Sequence, residues 1–346
     1  MEIALLVPIA FKQTEFSNDE NVIVLAGDIG GTKANMSLCK FTAKGMEVVK
    51  EKRYVSKDHV SFTDIINDFI AGLPNPQKVC LSVAGPVIDG KVKFTNLSWQ
   101  IDRNEISETL GGSPVTILND LEATAYGLAA LKPEELHTLH QGTNETPGNI
   151  GILAAGTGLG EAGLFFDGSR YHPFATEGGH CDYAPRTKQD LGILYFLQAR
   201  HEHVSWERLL SGNGIVTIWE YLTQMENKPK PEWISEAMKI SDPAAVISNA
   251  AKDAKCITCI EAIQLFDRFL AIEAANMILK FKATGGLYLA GGIAPKIINL
   301  LNPATWKEIF ESSGRMKHLL NTVSVHVMLN EKAPMLGSIY YAGLNM

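Results

Sequence analysis

The stretch Gly27-Asp28-Ile29-Gly30-Gly31-Thr32 lies between two apolar segments, and this arrangement predicts the fold. The segment before it, Val22 to Leu25, is rich in β-branched residues and predicts a buried strand. The segment after it, Ala34 to Phe41, partly alternates in polarity and predicts a second strand. We therefore expect a strand, a glycine turn and a second strand, with the fold beginning near Asn21.

The same pattern returns far downstream. Asn149 to Ala155 leads into Gly156-Thr157-Gly158-Leu159-Gly160, and the apolar segment Ala162 to Phe166 follows. The first turn begins at Gly27 and the second at Gly156, and this spacing is much longer than the units of about 20 to 50 residues that solenoid proteins repeat. The repeat therefore predicts two duplicated domains with one glycine turn each.

Further segments have strand or helix patterns: strands at Lys78 to Val83, Pro114 to Leu118 and Leu287 to Ala290, and helices at Leu121 to Leu131 and Glu261 to Lys282. Gly291-Gly292 follows the last of these strands, and open α/β sheets bind ligands at the carboxyl ends of their strands. The tail from Asn330 to Met346 predicts a helix that returns to the first domain.

Length and charge narrow the class of protein. The chain has 346 residues, 46% of them apolar, which suits roughly two domains of about 150 residues. We expect an extension at 1–20, a small α/β domain at 21–130 plus 331–346, and a large α/β domain at 131–330. Lys and Arg number 31 against 38 Asp and Glu, and no basic cluster stands out, so nucleic acid is not expected as a partner.

Cellular context follows from the start of the chain and from cysteine usage. The apolar run Ile3 to Phe11 is too short to span a bilayer, and Glu2 stands where a signal peptide needs basic residues. Five cysteines, an odd number, suit reduced thiols better than a disulfide framework. We expect a cytoplasmic protein without a membrane segment.

The glycine turns suit phosphate binding. Backbone N–H groups at such a turn approach a phosphate closely, Thr32 adds a hydroxyl donor, and Asp28 can hold a hydrated Mg²⁺. A strand follows each turn, whereas a P-loop and a dinucleotide fingerprint both need a helix there. The alternatives are an ordinary Asp-Gly turn at the first site and a flexible hairpin at the second.

Asn119-Asp120 follows a predicted strand and precedes a predicted helix. A carboxylate at this edge of a sheet can accept a proton from a hydroxyl group, which makes Asp120 a candidate general base. Asn and Asp are also favoured helix caps, and the two roles can coexist.

Two other motifs carry reactive side chains. Glu177-Gly178-Gly179-His180 places a carboxylate and an imidazole beside two glycines, which suits the hydroxyls of a sugar, while a zinc site there lacks further ligands at metal spacing. Cys256-Ile257-Thr258-Cys259 has no second Cys pair, so a structural role is favoured over a redox role.

Seven motifs in order resemble the bacterial ATP-dependent glucokinases, which belong to the hexokinase and actin-like ATPase superfamily. They are Gly27 to Thr32, Thr95 to Trp99, Leu118 to Asp120, Gly156 to Gly160, Glu177 to His180, Glu207 to Gly212 and Ala290 to Ile293. The resemblance extends from about Asn21 onward. It implies an α/β, duplicated actin/hexokinase-like (ribonuclease H-like) two-domain fold with an interdomain cleft.

The resemblance also implies a reaction and a substrate: phosphorylation of D-glucose at the 6-hydroxyl by Mg-ATP to give glucose 6-phosphate and ADP, at the entry to glycolysis. Asp120 would be the base that deprotonates that hydroxyl. Asn119, Glu177, His180 and Glu207 would hold the other sugar hydroxyls, and Asn96 and Trp99 would border the sugar.

The ATP site is implied in the same way. Gly27, Asp28, Ile29, Gly30, Gly31 and Thr32, together with Gly156, Thr157 and Gly158, would wrap the phosphates, and Gly291 and Gly292 would line the adenosine. Asp28 would lie near Mg²⁺ and bind it through water. Domain closure around the sugar would exclude water from the transferred phosphoryl group. A homodimer is also implied.

Two departures from related proteins restrict the interpretation. The wider group of sugar kinases and repressors has a cysteine-rich zinc motif after the Gly-His pair, and Cys181-Asp182-Tyr183 continues here without it. About 20 residues before the match cannot hold a helix-turn-helix, which argues against a repressor. The alternatives left open are a kinase of mannose, fructose or an amino sugar, a different donor such as ADP or polyphosphate, and a non-enzymatic nucleotide switch.

Overall fold

The computed structural model describes residues 5–12, 21–94, 97–143 and 146–345. Contacts within the chain separate two compact units. Unit 1 comprises Met1–Pro133, Ser169–Ala175 and Lys332–Met346, and unit 2 comprises Glu134–Gly168 and Thr176–Glu331.

The strands, in chain order, are β1 Val22–Ile29, β2 Lys33–Thr42, β3 Gly45–Val55, β4 Lys78–Val83, β5 Lys91–Lys93, β6 Gln100–Asp102, β7 Val115–Asn119, β8 Leu136–His140, β9 Ile150–Ala155, β10 Leu159–Phe166, β11 Tyr171–Ala175, β12 Leu287–Ala290 and β13 Val325–Met328. The helices are α1 Phe62–Ile70, α2 Arg103–Thr109, α3 Asp120–Leu128, α4 Lys188–Gln198, α5 Gly212–Gln224, α6 Glu232–Ile240, α7 Pro243–Lys252, α8 Ile257–Phe281, α9 Pro303–Glu311, α10 Lys317–Leu320 and α11 Ala333–Asn345.

The sheets of the two units share a strand arrangement. In unit 1 the order is β3-β2-β1-β4-β7, with β1 antiparallel to β2, and β4 parallel to both β1 and β7. The sheet strands that belong to unit 2 run β10-β9-β12-β13-β8, with β9 antiparallel to β10, and β12 parallel to both β9 and β13. Each unit therefore has a hairpin followed by two parallel strands, which confirms the duplication predicted from the two glycine turns.

The first strand is longer than the sequence pattern predicts. β1 continues through Gly27 and Asp28 to Ile29, so the turn itself begins at Gly30. A Cβ on Gly27 would lie 2.7 Å from Cδ2 of Leu81 and 3.2 Å from the sulfur of Met36. Gly27 is thus a packing position inside the sheet, where neighbouring side chains fill the space that a larger residue would need.

Two helices that approach closely complete the core of unit 1. A Cβ on Gly127 of α3 would overlap the carbonyl oxygen of Ala333, and one on Gly337 of α11 would overlap that of Ala123. α11 also contacts β1 and β4, which confirms that the C-terminal helix returns to the first unit. The backbone contact with α11 fixes the position of α3.

Unit 2 is built around α8. This helix has 25 residues, most of them buried, and it contacts α5, α7, α9 and β9. Cys256 precedes it, and its sulfur accepts a hydrogen bond of 3.4 Å from the Cys259 amide, so the buried pair caps the helix. Within the described ranges, α8 and the other helices all fall short of the length and apolarity needed to cross a bilayer.

The expectation that the fold begins near Asn21 is wrong for residues 5–12. Val7, Ile9 and Phe11 are buried, and the Phe11 ring lies 5.7 Å from that of Tyr126 on α3. The Leu6 amide donates to the Ala129 carbonyl at 2.8 Å. The described part of the apolar run, from residue 5 onward, therefore packs within unit 1.

Replacing Phe11 with Ala should destabilise unit 1 by about 3–5 kcal/mol, the usual cost of removing a buried phenyl ring. Lys12 is exposed, so the Lys12→Ala protein serves as the matched control and should stay within about 0.5 kcal/mol of the wild type. Urea unfolding combined with hydrogen exchange of the α3 amides measures both changes. Equal stability of the two variants would show that residues 5–12 do not support the core.

Candidate functional site

Three strands of unit 1 end at the same level. In the register of the sheet, Ile29 is aligned with Val83 and Val83 with Asn119. Neighbouring strands lie about 4.8 Å apart, so the ends of β1 and β7 are about 10 Å from each other. The turn after β1 and the start of α3 therefore share one edge of the sheet, the edge at which open α/β sheets bind ligands.

Asp28 lies one residue before this edge. Its carboxylate accepts hydrogen bonds from Asn35 Nδ2 at 3.3 Å and from Ser82 Oγ at 3.4 Å. Burial raises the pKa of the Asp28 carboxyl, and these two hydrogen bonds oppose the rise. A cation beside the group would offset the cost of burying its negative charge.

The turn after β1 is closed by its own backbone. The Gly30 amide donates to the Lys33 carbonyl at 2.8 Å, and Ser56 Oγ donates to the Gly30 carbonyl at 3.0 Å. The Ser56 amide donates to the Thr32 carbonyl at 3.0 Å. Ser56 is completely buried and holds the turn from behind, a role that no motif in the sequence indicated.

Asn119 and Asp120 stand at the N-terminus of α3. The Leu121 amide donates to Asn119 Oδ1 and to Asp120 Oδ1, both at 2.9 Å, so the capping interaction is present. Asn119 Nδ2 donates to the Gly85 carbonyl at 3.4 Å. The N-terminus of a helix favours negatively charged side chains, which suits an ionised Asp120 that accepts a proton.

The motif Thr95 to Trp99 contains Asn96 and Trp99, which the resemblance places at the border of the sugar. Asn96 lies outside the described residues. Trp99 lies in the core of unit 1, where its ring stacks on that of Phe62 with the ring centroids 6.0 Å apart. Its indole N–H donates to the Ser56 carbonyl at 3.3 Å. Packing thus uses its ring and its polar atom, and the place of Trp99 at the border of a ligand stays a prediction.

In unit 2 the second glycine turn lies beside the loop after β12. The Gly156 amide donates to the Gly158 carbonyl at 2.8 Å, which closes the turn between β9 and β10. Gly291 has a φ of +79°, and a Cβ there would overlap the carbonyl oxygen of Ala155 at the end of β9. The Ile293 amide donates to that same oxygen at 3.2 Å.

Glu207 contacts this turn directly. Its Oε2 accepts a hydrogen bond of 3.0 Å from the Leu159 amide, and a Cβ on Gly158 would lie 2.5 Å from the same oxygen. The Gly212 amide, at the start of α5, donates to the Gly156 carbonyl at 2.9 Å. The predicted phosphate turn and the predicted sugar ligand Glu207 are therefore neighbours.

The Glu177-to-His180 segment forms a 3₁₀ turn, Gly178–His180, against β10. Its close packing depends on glycine, since a Cβ on Gly179 would overlap the Leu159 carbonyl oxygen and one on Gly178 would overlap Glu161 Oε2. The flanking Glu177 and His180 are exposed. Unit 2 thus places Gly178, Gly179, Glu207 and Gly291 against residues 155–161, the segment that contains the second glycine turn.

Comparisons with known proteins show the family of the chain. The family model for glucokinase matches residues 25–344. The chain belongs to the glucokinase family. It is 36% identical over 332 residues to the glucokinase of Nostoc punctiforme, with 91% of this chain and 97% of that protein covered.

Solved structures show the same fold. The glucokinase of an Antarctic psychrotroph superimposes with a TM-score of 0.81 at 28% identity, covering 93% of this chain and 98% of that one. A ROK family glucokinase from Streptomyces griseus, solved with glucose and AMPPNP, has a TM-score of 0.61 at 18% identity, covering 93% and 99% of the two chains. The predicted family and the α/β sugar-kinase fold are confirmed, and the chain is an ATP-dependent phosphotransferase of the glucokinase family.

The loop after β12 offers a test of the site's construction. Gly291→Ala should destabilise the protein by about 1–3 kcal/mol, because the left-handed backbone and the Ala155 carbonyl both exclude a side chain. Gly292→Ala is the matched control and should be nearly neutral, since its Cβ would meet the flexible ends of Lys296 at 3.4 Å and Glu331 at 3.9 Å. Thermal unfolding compares the two, and an equal loss of stability in both would contradict this account of the loop.

Proposed function

We propose that the protein transfers the γ-phosphoryl group of Mg-ATP to the 6-hydroxyl of D-glucose, giving glucose 6-phosphate and ADP. The observation that carries the proposal is the place of Asp120 at the N-terminus of α3, at the same sheet edge as the glycine turn after β1. The Streptomyces griseus relative, described with glucose and AMPPNP, supports this pair of substrates.

Asp120 acts as the general base. Its carboxylate accepts the proton of the 6-hydroxyl as the oxygen attacks the γ-phosphorus, and the bond from that phosphorus to the ADP oxygen breaks. Phosphoryl transfer depends mainly on positioning and on charge stabilisation, so a fixed nucleophile matters more than a strong base. α11 fixes α3 by backbone contact and thereby positions Asp120.

The other predicted ligands are assigned as follows. Asn119, Glu177, His180 and Glu207 hold the remaining sugar hydroxyls, and Asn96 borders the sugar. Gly27 to Thr32 and Gly156 to Gly158 wrap the phosphates, and Gly291-Gly292 lines the adenosine. Glu207 also supports the second glycine turn through the Leu159 amide.

Asp28 suits a role beside Mg²⁺. Among the residues that the structure describes, no group of three or more His, Cys, Asp or Glu side chains could hold a metal ion. Mg²⁺ in phosphoryl-transfer enzymes is commonly held by one or two carboxylates, water and the substrate phosphates, and the Asp28 carboxyl fits such a site. When bound, the ion neutralises charge on the phosphates.

Replacing Asp120 with Asn should lower kcat about 10²- to 10⁴-fold, the usual contribution of a general base, while the helix cap persists through Asn119. The measurement is ADP release from Mg-ATP with and without glucose. In the wild type, release should depend on glucose.

Glu122→Gln is the matched control for that experiment, because Glu122 is a half-buried carboxyl in the first turn of the same helix. It should leave kcat close to the wild-type value. Glucose-independent ADP release by the wild type would contradict the proposed reaction. ADP release would then be measured with mannose, fructose and amino sugars. Stimulation by one of them would indicate a different sugar kinase, and no stimulation would indicate a nucleotide switch. If a folded Asp120→Asn protein kept full activity, Asp120 would not be the general base and would serve only at the start of the helix.

Asp28→Asn should raise the Mg²⁺ concentration needed for half-maximal activity without unfolding the protein. Burial already raises the pKa of this carboxyl, so the neutral amide removes a costly charge. Ser82→Ala removes one hydrogen bond to Asp28 and keeps the charge, which makes it the control. A Mg²⁺ titration of the initial rate measures the effect, and unchanged titrations in Asp28→Asn would rule out its role at the metal.

The homodimer and the cytoplasmic location remain predictions of the resemblance and of the composition. Sedimentation of the purified protein at micromolar concentration tests the first.

A further inference from the structure

Ser56 connects two segments of unit 1 that the family resemblance assigns to different substrates. Its hydroxyl donates to the Gly30 carbonyl at 3.0 Å, and its amide donates to the Thr32 carbonyl at 3.0 Å. Its own carbonyl accepts the indole N–H of Trp99 at 3.3 Å. The hydroxyl, the amide and the carbonyl of one residue therefore join the glycine turn after β1 to the motif Thr95 to Trp99.

The surroundings of Ser56 and Trp99 keep this link in one arrangement. Ser56 is completely buried, and Trp99 is buried as well. The Trp99 ring stacks on that of Phe62 and meets that of Phe94 edge-on, with the latter centroids 5.5 Å apart. A buried hydrogen-bonding group that loses its partner is costly, because no water takes the partner's place. The three hydrogen bonds of Ser56 are therefore maintained together.

The contact with Gly30 determines how the turn presents its backbone. The peptide bond from Gly30 to Gly31 is trans, so its C=O and its N–H point in opposite directions. Because the Ser56 hydroxyl holds the Gly30 carbonyl, the N–H on the other side of this peptide group points away from Ser56. Backbone N–H groups in turns of this kind form concave sites that bind phosphate.

Two successive glycines need this support from outside the turn. Glycine has the greatest backbone freedom of all residues, and the hydrogen bond from the Gly30 amide to the Lys33 carbonyl leaves the Gly30 carbonyl itself unfixed. Ser56 is well placed to fix it, since it directly follows β3, in which Val55 pairs with Lys33 of β2. The orientation of the peptide group after Gly30 thus depends on Ser56.

We propose that Ser56 is a positioning residue for nucleotide binding and that Trp99 acts through it: the Trp99 indole fixes Ser56, and Ser56 fixes the glycine turn in the form that receives the ATP phosphates. The inference rests on the proposed role of this turn at the phosphates. It gives Trp99 a part in nucleotide binding, whereas the resemblance implies a part at the sugar. Ser56 does not touch the reacting atoms, so the chemical step at Asp120 is unaffected once both substrates are bound.

Ser56→Ala tests the inference through the KM for ATP at saturating glucose. The variant lacks the donor to the Gly30 carbonyl, and this KM should rise about three- to tenfold, the effect of losing one ordinary hydrogen bond. The dissociation constant for Mg-ADP, measured by calorimetry, should rise by a similar factor. The kcat at saturating ATP and the KM for glucose should stay at the wild-type values, because the turn holds phosphates that are bound both before and during the transfer.

Ser338→Ala is the matched control. Ser338 is also completely buried in unit 1, on α11, and its hydroxyl also donates to a backbone carbonyl, that of Pro334 at 3.1 Å. This variant should lose thermal stability as Ser56→Ala does and should keep the wild-type KM for ATP. A KM for ATP in Ser56→Ala no higher than in Ser338→Ala would show that Ser56 is a structural residue only, and would overturn the proposal.

Trp99→Phe tests the second part of the link. It keeps an aromatic ring beside Phe62 and Phe94 and removes the indole N–H that Ser56 accepts, so the KM for ATP should rise. With both substitutions in one protein, the rise should be less than the product of the two separate rises, because Trp99 acts through Ser56. A full product, or a rise confined to the KM for glucose, would overturn the link. This variant also keeps the inference testable if Ser56→Ala does not fold.

Thr32→Val separates the inference from the proposed function. Thr32 is exposed on the turn, and valine keeps its shape without the hydroxyl donor. A raised KM for ATP in Thr32→Val together with a wild-type KM in Ser56→Ala would overturn the role of Ser56 alone. Wild-type values in both would remove the turn from the phosphate site, and the inference with it, whereas glucose-independent ADP release would overturn the reaction itself. A raised KM for ATP in Ser56→Ala and in Trp99→Phe, with a wild-type value in Ser338→Ala, would establish Ser56 as the positioning residue.

Discussion

The parallel register of β1, β4 and β7 is the constraint on which the candidate site of unit 1 depends. Parallel strands that end at the same level place the segments after them at one edge, because hydrogen bonding between the strands leaves no freedom to slide. Ile29, Val83 and Asn119 are aligned in this way, so the glycine turn and the start of α3 are neighbours although about ninety residues separate them. The matching arrangement of β9 and β12 places Gly156 and Gly291 side by side in unit 2.

Many of the glycines in the motifs serve close packing as well as any ligand. Gly27 lies in a strand against Leu81, Gly178 and Gly179 lie against β10, and Gly291 lies against the end of β9. In each case a Cβ would meet a neighbouring atom at an impossible distance, and at Gly291 the positive φ adds backbone strain. In this fold a glycine-rich motif therefore also indicates that two segments of the chain pack closely together.

Buried carboxyls have different partners and correspondingly different properties. Asp28 has two neutral donors, Asp190 has an ion pair with Arg268, and no described residue donates to Glu161 Oε1. The ion pair holds the pKa of Asp190 below its ordinary value even though burial acts against it, whereas burial dominates for Asp28 and Glu161. The charge that a buried acid carries thus depends on which donors the fold brings to it.

The sequence alone was sufficient for the repeated strand-turn-strand pattern, the strand Lys78–Val83, the C-terminal helix and the family, because each is encoded in local periodicity or in contiguous motifs. The sequence did not show that β1 continues through Gly27 or that residues 5–12 pack against α3. It also did not show that Trp99 lies in the core, and it left the helices between Lys188 and Lys252 unassigned. Nor did it indicate Ser56 or Glu161, which belong to no motif and lie far apart in the chain. Local sequence determined which segments form strands, turns and helices. Only the tertiary structure decided which side chains meet and which donors reach a buried carboxyl, because both depend on contacts between residues that are distant in sequence.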